Sequence, residues 1–177
     1  FLRRMGVRFR GEGPFDPTFD PPHTTVHPGT IAGGTALNIV PRDCNFNYEI
    51  RHLPCDDAEA LQAEFETFAR DSLLPGMYEL DPDTGFRFEE CSGFPGLDTP
   101  SDSTVTELVK TLSGTNTTSK VSFGTEAGLF SKTGIPAVVC GPGSIRQAHC
   151  ADEFITLEQV ALCESFMRRL AEHICHQ

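Results

Sequence analysis

The residues best suited to chemistry lie between positions 123 and 154. Thr125-Glu126 forms one polar cluster, and His149 with Asp152 and Glu153 forms a second. Between them run a short apolar stretch, 135–140, and the turn Gly141-Pro142-Gly143-Ser144. A neutral imidazole is a common ligand for a divalent metal and a serviceable base. Carboxylates beside it can orient the ring through its second nitrogen. The hydroxyl of Thr125 and the backbone next to it suit an oxyanion or a bound substrate, and Glu126 suits a substrate amine. Each residue also has a plain structural use. A loop histidine is often only hydrogen-bonded at the surface, Thr125 can cap a turn, and Asp152 and Glu153 can favour the start of a helix through its dipole.

Other positions carry weaker signals. Arg51 closes the polar face of an alternating segment, and its fork suits a carboxylate through paired charge-assisted bonds. The competing use is an ion pair with an acid such as Glu49 of a neighbour. Asn38 stands alone in an apolar segment, where an amide often satisfies local backbone groups. His23 and His27 are four apart, but Pro21, Pro22 and Pro28 argue against the helix that would bring them together. Cys150 adjoins His149, yet sequence neighbours rarely reach the geometry of a nucleophile and its base. Gly-Pro-Gly-Ser matches neither of the glycine-rich phosphate patterns.

Thr125-Glu126-Ala127, Gly134-Ile135-Pro136, Gly141-Pro142-Gly143-Ser144-Ile145, Gln147-Ala148-His149 and Asp152-Glu153 together resemble the C-terminal part of the M20 family of metal-dependent amidohydrolases. The likeness extends upstream through Gly33-Gly34-Thr35-Ala36-Leu37-Asn38-Ile39-Val40-Pro41 and Ile50-Arg51-His52-Leu53-Pro54. It implies two zinc ions in the complete enzyme, with cobalt as the alternative metal, and His149 as one ligand. It implies Thr125 and Glu126 at the catalytic centre, and Asn38, Arg51 and Gly141 as substrate-binding residues. The implied reaction is deacylation of an N-acyl amino acid. The wording is nearest to enzymes acting on N2-acetylornithine, with N-succinyl-diaminopimelate and other N-acyl substrates as rivals. A homodimer through a lid domain follows from the same likeness. The family's His-x-Asp and Glu-Glu motifs are not in this sequence. The chain alone is therefore expected to lack a complete metal site, and a dimerisation or binding module without catalysis is the rival of another class.

The elements that must hold these residues fit an α/β and α+β organisation. Residues 1–5, before Gly6, read as the last turn of a helix. Residues 24–27 and 45–51 read as strands, the second with Phe46, Tyr48 and Ile50 on one face and polar residues on the other. Residues 36–40 read as extended. Asp56-x-x-Glu59 opens a helix whose apolar stripe is Ala58, Leu61, Phe65 and Phe68, ending at Pro75-Gly76. Residues 86–88 read as a short strand. This order fits most of a ferredoxin-like unit lacking its first strand. A dimerisation (lid) domain is expected over residues 1–97. The rest, 98–177, is expected to be the C-terminal part of an α/β catalytic domain. It reads as a helix with Val105, Leu108, Val109 and Leu112 inward after a Ser101-Asp102 cap, strands at 119–123 and 135–140, and a last helix capped by Thr156-x-x-Gln159. Val160, Cys163, Met167, Leu170 and Ile174 form that helix's apolar stripe. Two strands are too few for a doubly wound sheet. With Phe1 rather than Met at the start, the sequence reads as a fragment of a longer protein.

Composition narrows the partners. A net charge of −11 over 177 residues argues against nucleic acid, which needs clustered Lys and Arg. No apolar stretch approaches the length of a membrane span. Seven cysteines, an odd count without C-x-x-C spacing, read as free thiols and hence as a cytoplasmic protein.

Overall fold

A computed structural model describes residues 1–148 and 150–176. The chain forms two compact units, one of residues 1–96 with 122–124, the other of residues 97–121 with 125–177. Both are mixtures of helix and irregular chain; the first also carries a small antiparallel sheet, an α+β arrangement.

In the first unit, α1 (Leu2–Glu12) runs past Gly6 and ends at Gly13, whose φ of 75° suits a residue without Cβ. Gly6 therefore does not cap a helix, contrary to the sequence reading. It lies where α1 crosses the sheet, and a Cβ there would stand 3.2 Å from the Val26 carbonyl oxygen. β1 (Thr25–Gly33) and β2 (Cys44–Arg51) pair antiparallel, with Thr25 opposite Arg51 and Gly33 opposite Cys44, and an irregularity between Pro28 and Thr30. Proline has no N–H for the ladder, which accounts for a break at that place. Residues 36–40, expected to be extended, instead belong to the turn that joins these strands, with the Ile39 N–H donating to the Ala36 carbonyl. Antiparallel neighbours require the chain to reverse, and Gly34 at φ 83° begins the reversal.

α2 (Ala58–Phe68) is capped by Asp57, whose carboxylate accepts from the Ala60 N–H, so the cap lies one residue after the Asp56 of the sequence reading. The helix also continues further than expected. A π-helical turn (Ala69–Leu73) and α3 (Leu74–Tyr78) carry it on, with Pro75 tolerated in a first turn where its missing N–H has no partner to lose. Asp56 has another task. It accepts a hydrogen bond from the buried Thr24 hydroxyl, which itself accepts from the Leu53 N–H at 2.9 Å.

The core is the layer between helices and sheet. Met5, Phe9 and Leu61 are buried, with Val26 and Ile50 packed against them. Phe65, 7% exposed, meets Tyr48 (5.1 Å), Phe46 (6.3 Å) and Phe88 (5.6 Å) edge-on and Phe1 at 6.1 Å. Arg8 donates two 2.7 Å bonds to the Glu64 carboxylate, tying α1 to α2. That hydrogen bond holds the Arg8 guanidinium above its ordinary pKa, against the opposing effect of burial. Residues 86–88 are not a strand. Their rings stack and reach Phe65, but the sheet is two-stranded and gives their backbone no partner.

In the second unit, α4 (Thr104–Ser113) is capped by Ser103 rather than by Ser101 or Asp102 and ends at Gly114 in the left-handed conformation. α5 (Ala127–Lys132) is short, and α6 (Leu157–Cys175) begins at Thr156, whose hydroxyl accepts from the Gln159 N–H as expected. The less exposed residues of α6 include Gln159, Cys163, Phe166 and Leu170, whereas Val160, Met167 and Ile174 of the expected stripe are 46–63% exposed. The strands expected at 119–123 and 135–140 are absent. A central strand needs a hydrogen-bonded neighbour, and none is found in this unit among the described residues. Ile135 and Val139 are accordingly about half exposed.

Two consequences can be measured by chemical denaturation of the first unit. Replacing Phe65 by Ala should cost about 3–5 kcal/mol, as removal of a buried ring does. Glu64→Gln should cost less than about 1 kcal/mol, because the pair it breaks is over one-third exposed. Tyr48 offers a pH signature. Burial raises its pKa, Glu66 adds to this, and the hydrogen bond to Gln62 opposes it. The unfolded chain then loses the phenolic proton first. Stability from Tyr48 is complete below about pH 10 and declines as pH rises beyond that through the higher folded value. Tyr48→Phe should remove this alkaline decline.

Candidate functional site

The residues singled out by sequence divide between the two units. Asn38 and Arg51 lie in the first, Thr125, Glu126 and Gly141 in the second. His149 lies outside the described residues.

Asn38 is exposed in the turn between β1 and β2, so its amide faces solvent from a loop held by a rigid hairpin. Arg51 is the last residue of β2 and is already engaged. Its Nε donates to Glu49 Oε1 at 3.0 Å and its Nη2 to Glu49 Oε2 at 3.3 Å. Its Nη1 donates to the Ser122 carbonyl at 3.0 Å. The acid is thus on the same strand two residues back, not on a neighbouring one. Strand side chains of that spacing share a face, so the pairing was legible in the alternation. The role of Ser122 had no sequence signal, because 71 residues separate it from Arg51.

In the second unit, the Thr125 hydroxyl accepts from the Ala127 N–H at 3.3 Å, the turn-capping use. Glu126 is the residue before α5, exposed, with no side-chain capping bond. The turn that contains Gly141 is bound to α6: the Gly143 N–H donates to Gln159 Oε1 at 3.3 Å. This also explains why Gln159 does not complete a reciprocal capping box. Glycine is conformationally required at Gly143, with φ 94°, whereas a Cβ on Gly141 would meet nothing within 4 Å. The Gln147 N–H donates to the Ser144 carbonyl at 2.9 Å, folding the chain that leads towards position 149. Burial raises the pKa of the Cys140 thiol, and the Cys163 thiol adds to the shift. The Cys150 thiol lies 3.4 Å from the Ala148 carbonyl and is exposed.

Among the described residues, no group of three His, Cys, Asp or Glu side chains is placed to hold a metal ion. His23 and His27 gain no further ligand, and the His23 ring is 3.0 Å from the Thr24 carbonyl. The described residues therefore do not by themselves fit a metal centre. No described helix is long and apolar enough to cross a membrane.

Residues 6–77, within the first unit, match the peptidase dimerisation domain family of M20 type. Over about nine-tenths of its length the chain is similar to acetylornithine deacetylases. It is 34% identical over 160 residues to the acetylornithine deacetylase of Myxococcus xanthus, covering 90% of this chain and 40% of that protein. Identity is 32% over 164 residues to the Photorhabdus laumondii protein of that name, covering 90% and 40%. It is 31% over 166 residues to the Yersinia pestis one, covering 92% and 40%. The chain spans about two-fifths of the length of these relatives.

The link between α6 and the 141–144 turn can be probed at its base. Thr156→Ala removes the hydroxyl that caps α6 and should destabilise the second unit by about 0.5–2 kcal/mol. Thermal unfolding checks this, and the Gly143 amide resonance should shift as its partner Gln159 loosens.

Proposed function

We propose that this chain is part of a metal-dependent amidohydrolase that removes the acyl group of an N-acyl amino acid. The substrate the comparisons favour is N2-acetylornithine, hydrolysed to ornithine and acetate, a step of arginine synthesis. The observation that carries this reading is the similarity over nine-tenths of the chain to proteins named acetylornithine deacetylase. Desuccinylation, or hydrolysis of another N-acyl substrate, is the nearest alternative within the same chemistry.

The residue roles follow from their chemistry. Arg51 presents a guanidinium in which Glu49 and Ser122 use three of the N–H groups, leaving others for a substrate carboxylate. Asn38 offers an exposed amide from a loop, and Gly141 a backbone open on its side-chain face. Thr125 and Glu126 are the candidate catalytic pair, Thr125 with its backbone for an oxyanion and Glu126 for the substrate amine. His149 is the candidate ligand, to zinc in the first instance, two ions being expected in the complete enzyme and cobalt being the alternative. The boundary near residue 97 separates a ferredoxin-like dimerisation unit from the catalytic part, and the match at 6–77 supports a homodimer through the former. Because that match is confined to the first unit, a dimerisation module without catalysis is the second reading. Free thiols at all seven cysteines suit the cytoplasm.

Zinc titration of the chain by calorimetry, wild type against His149→Ala, tests the site. Weak binding that the substitution abolishes is expected. Tight binding by both proteins would place the metal elsewhere and overturn the assignment. Light scattering on the same samples should give twice the monomer mass, and a monomer at micromolar concentration would count against the dimerisation role.

A further inference from the structure

Residues 122–124 belong to the first unit, although their chain neighbours on both sides belong to the second. Three contacts within the first unit account for this. The Arg51 guanidinium donates to the Ser122 carbonyl at 3.0 Å. The Ser122 hydroxyl donates to the Asp20 carbonyl at 2.9 Å. Gly124 lies against Phe94 so closely that a Cβ would stand 2.9 Å from a ring carbon. The next two residues are Thr125 and Glu126.

The first of these contacts is the one that another side chain aims. An arginine at the end of an edge strand has four rotatable side-chain bonds, and ordering it costs entropy. Glu49 meets that cost by taking Nε and Nη2 together at 3.0 and 3.3 Å. A bidentate pair of this kind fixes the plane of the guanidinium as well as its position. With the plane fixed, Nη1 points at the Ser122 carbonyl. The pair is about half exposed, so its own contribution to global stability is small. Its effect is local direction.

We propose that Glu49 and Arg51 form a clip that fixes the backbone of Ser122, Phe123 and Gly124 on the first unit. Arg51 is then a positioning residue, and Glu49 positions it. The clip operates without ligand and does not require the chain to be an enzyme. Its failure is thereby separate from failure of the zinc or substrate assignments.

Backbone ¹⁵N relaxation on the 177-residue chain without ligand is the test. In the wild type, order parameters at Phe123 and Gly124 should lie near the rigid value of about 0.85. In Arg51→Gln they should fall below about 0.6 while β1 and α2 stay unchanged. Glu49→Gln should give a smaller fall. Arg51→Lys, which keeps the charge but lacks the planar fork that Glu49 holds, should recover less than half of the loss; a site that needed only a cation near the Ser122 carbonyl would be fully rescued. Unchanged order at Phe123 and Gly124 in Arg51→Gln, or full recovery with lysine, overturns the proposal. Should Arg51→Gln disturb the sheet itself, Glu49→Gln decides: full order at 122–124 in that variant overturns the clip.

Discussion

The packing of α1 and α2 over one face of β1 and β2 is the contact on which the first unit depends. A pair of strands is marginal in water unless an apolar layer covers it. Met5, Phe9, Leu61 and Phe65 supply that layer from the helices, and Phe46, Tyr48 and Ile50 belong to the facing strand. Each side chain removed from water in this way contributes about 1.5–3 kcal/mol. The polar links are subordinate to it. Arg8 and Glu64 set how α1 lies along α2, and the Thr24 hydroxyl joins the start of β1 to the chain that enters α2.

With the sheet held, the hairpin can carry polar groups at its two ends. Asn38 is exposed in the turn that joins the strands, and Arg51 is at the opposite end of β2. Arg51 shows how one side chain serves several partners. Its charge is satisfied by an acid on its own strand, its direction is set by the same acid, and a remaining N–H reaches a backbone carbonyl distant in sequence. An exposed ion pair of this kind has little weight in folding, yet it decides where a loop lies.

The second unit is organised differently. α4 and α6 are its longest helices, and the glycine-rich turn at 141–144 is joined to the first turn of α6 by Gln159. Gly143 permits the backbone conformation, Thr156 caps the helix, and the Gln159 side chain turns outward to the loop instead of back onto its own helix. This is how the chain that approaches position 149 acquires a defined start.

The alternation at 45–51, the helical stripe of Leu61, Phe65 and Phe68, and the Thr156 cap are local patterns, and they were readable because each depends on residues a few positions apart. So was the relation to the M20 proteins, since its motifs are continuous stretches. Other features waited for the tertiary structure. Gly6 reads as a helix stop until β1 is seen beneath it, 3.2 Å from where a Cβ would be. Residues 86–88 and 135–140 have strand-like composition, but a strand is defined by hydrogen bonds to another segment, which composition does not contain. The last helix keeps its predicted start, and Cys163 and Leu170 of its expected stripe are among its less exposed residues, but Gln159 and Phe166 join them in place of Val160, Met167 and Ile174, because burial is decided by what lies opposite. The partner of Arg51 was legible where it was two residues away, at Glu49, and invisible where it was 71 residues away, at Ser122. Period and capping act over single turns of chain and are written locally, whereas contact across the fold is set by how finished elements come together.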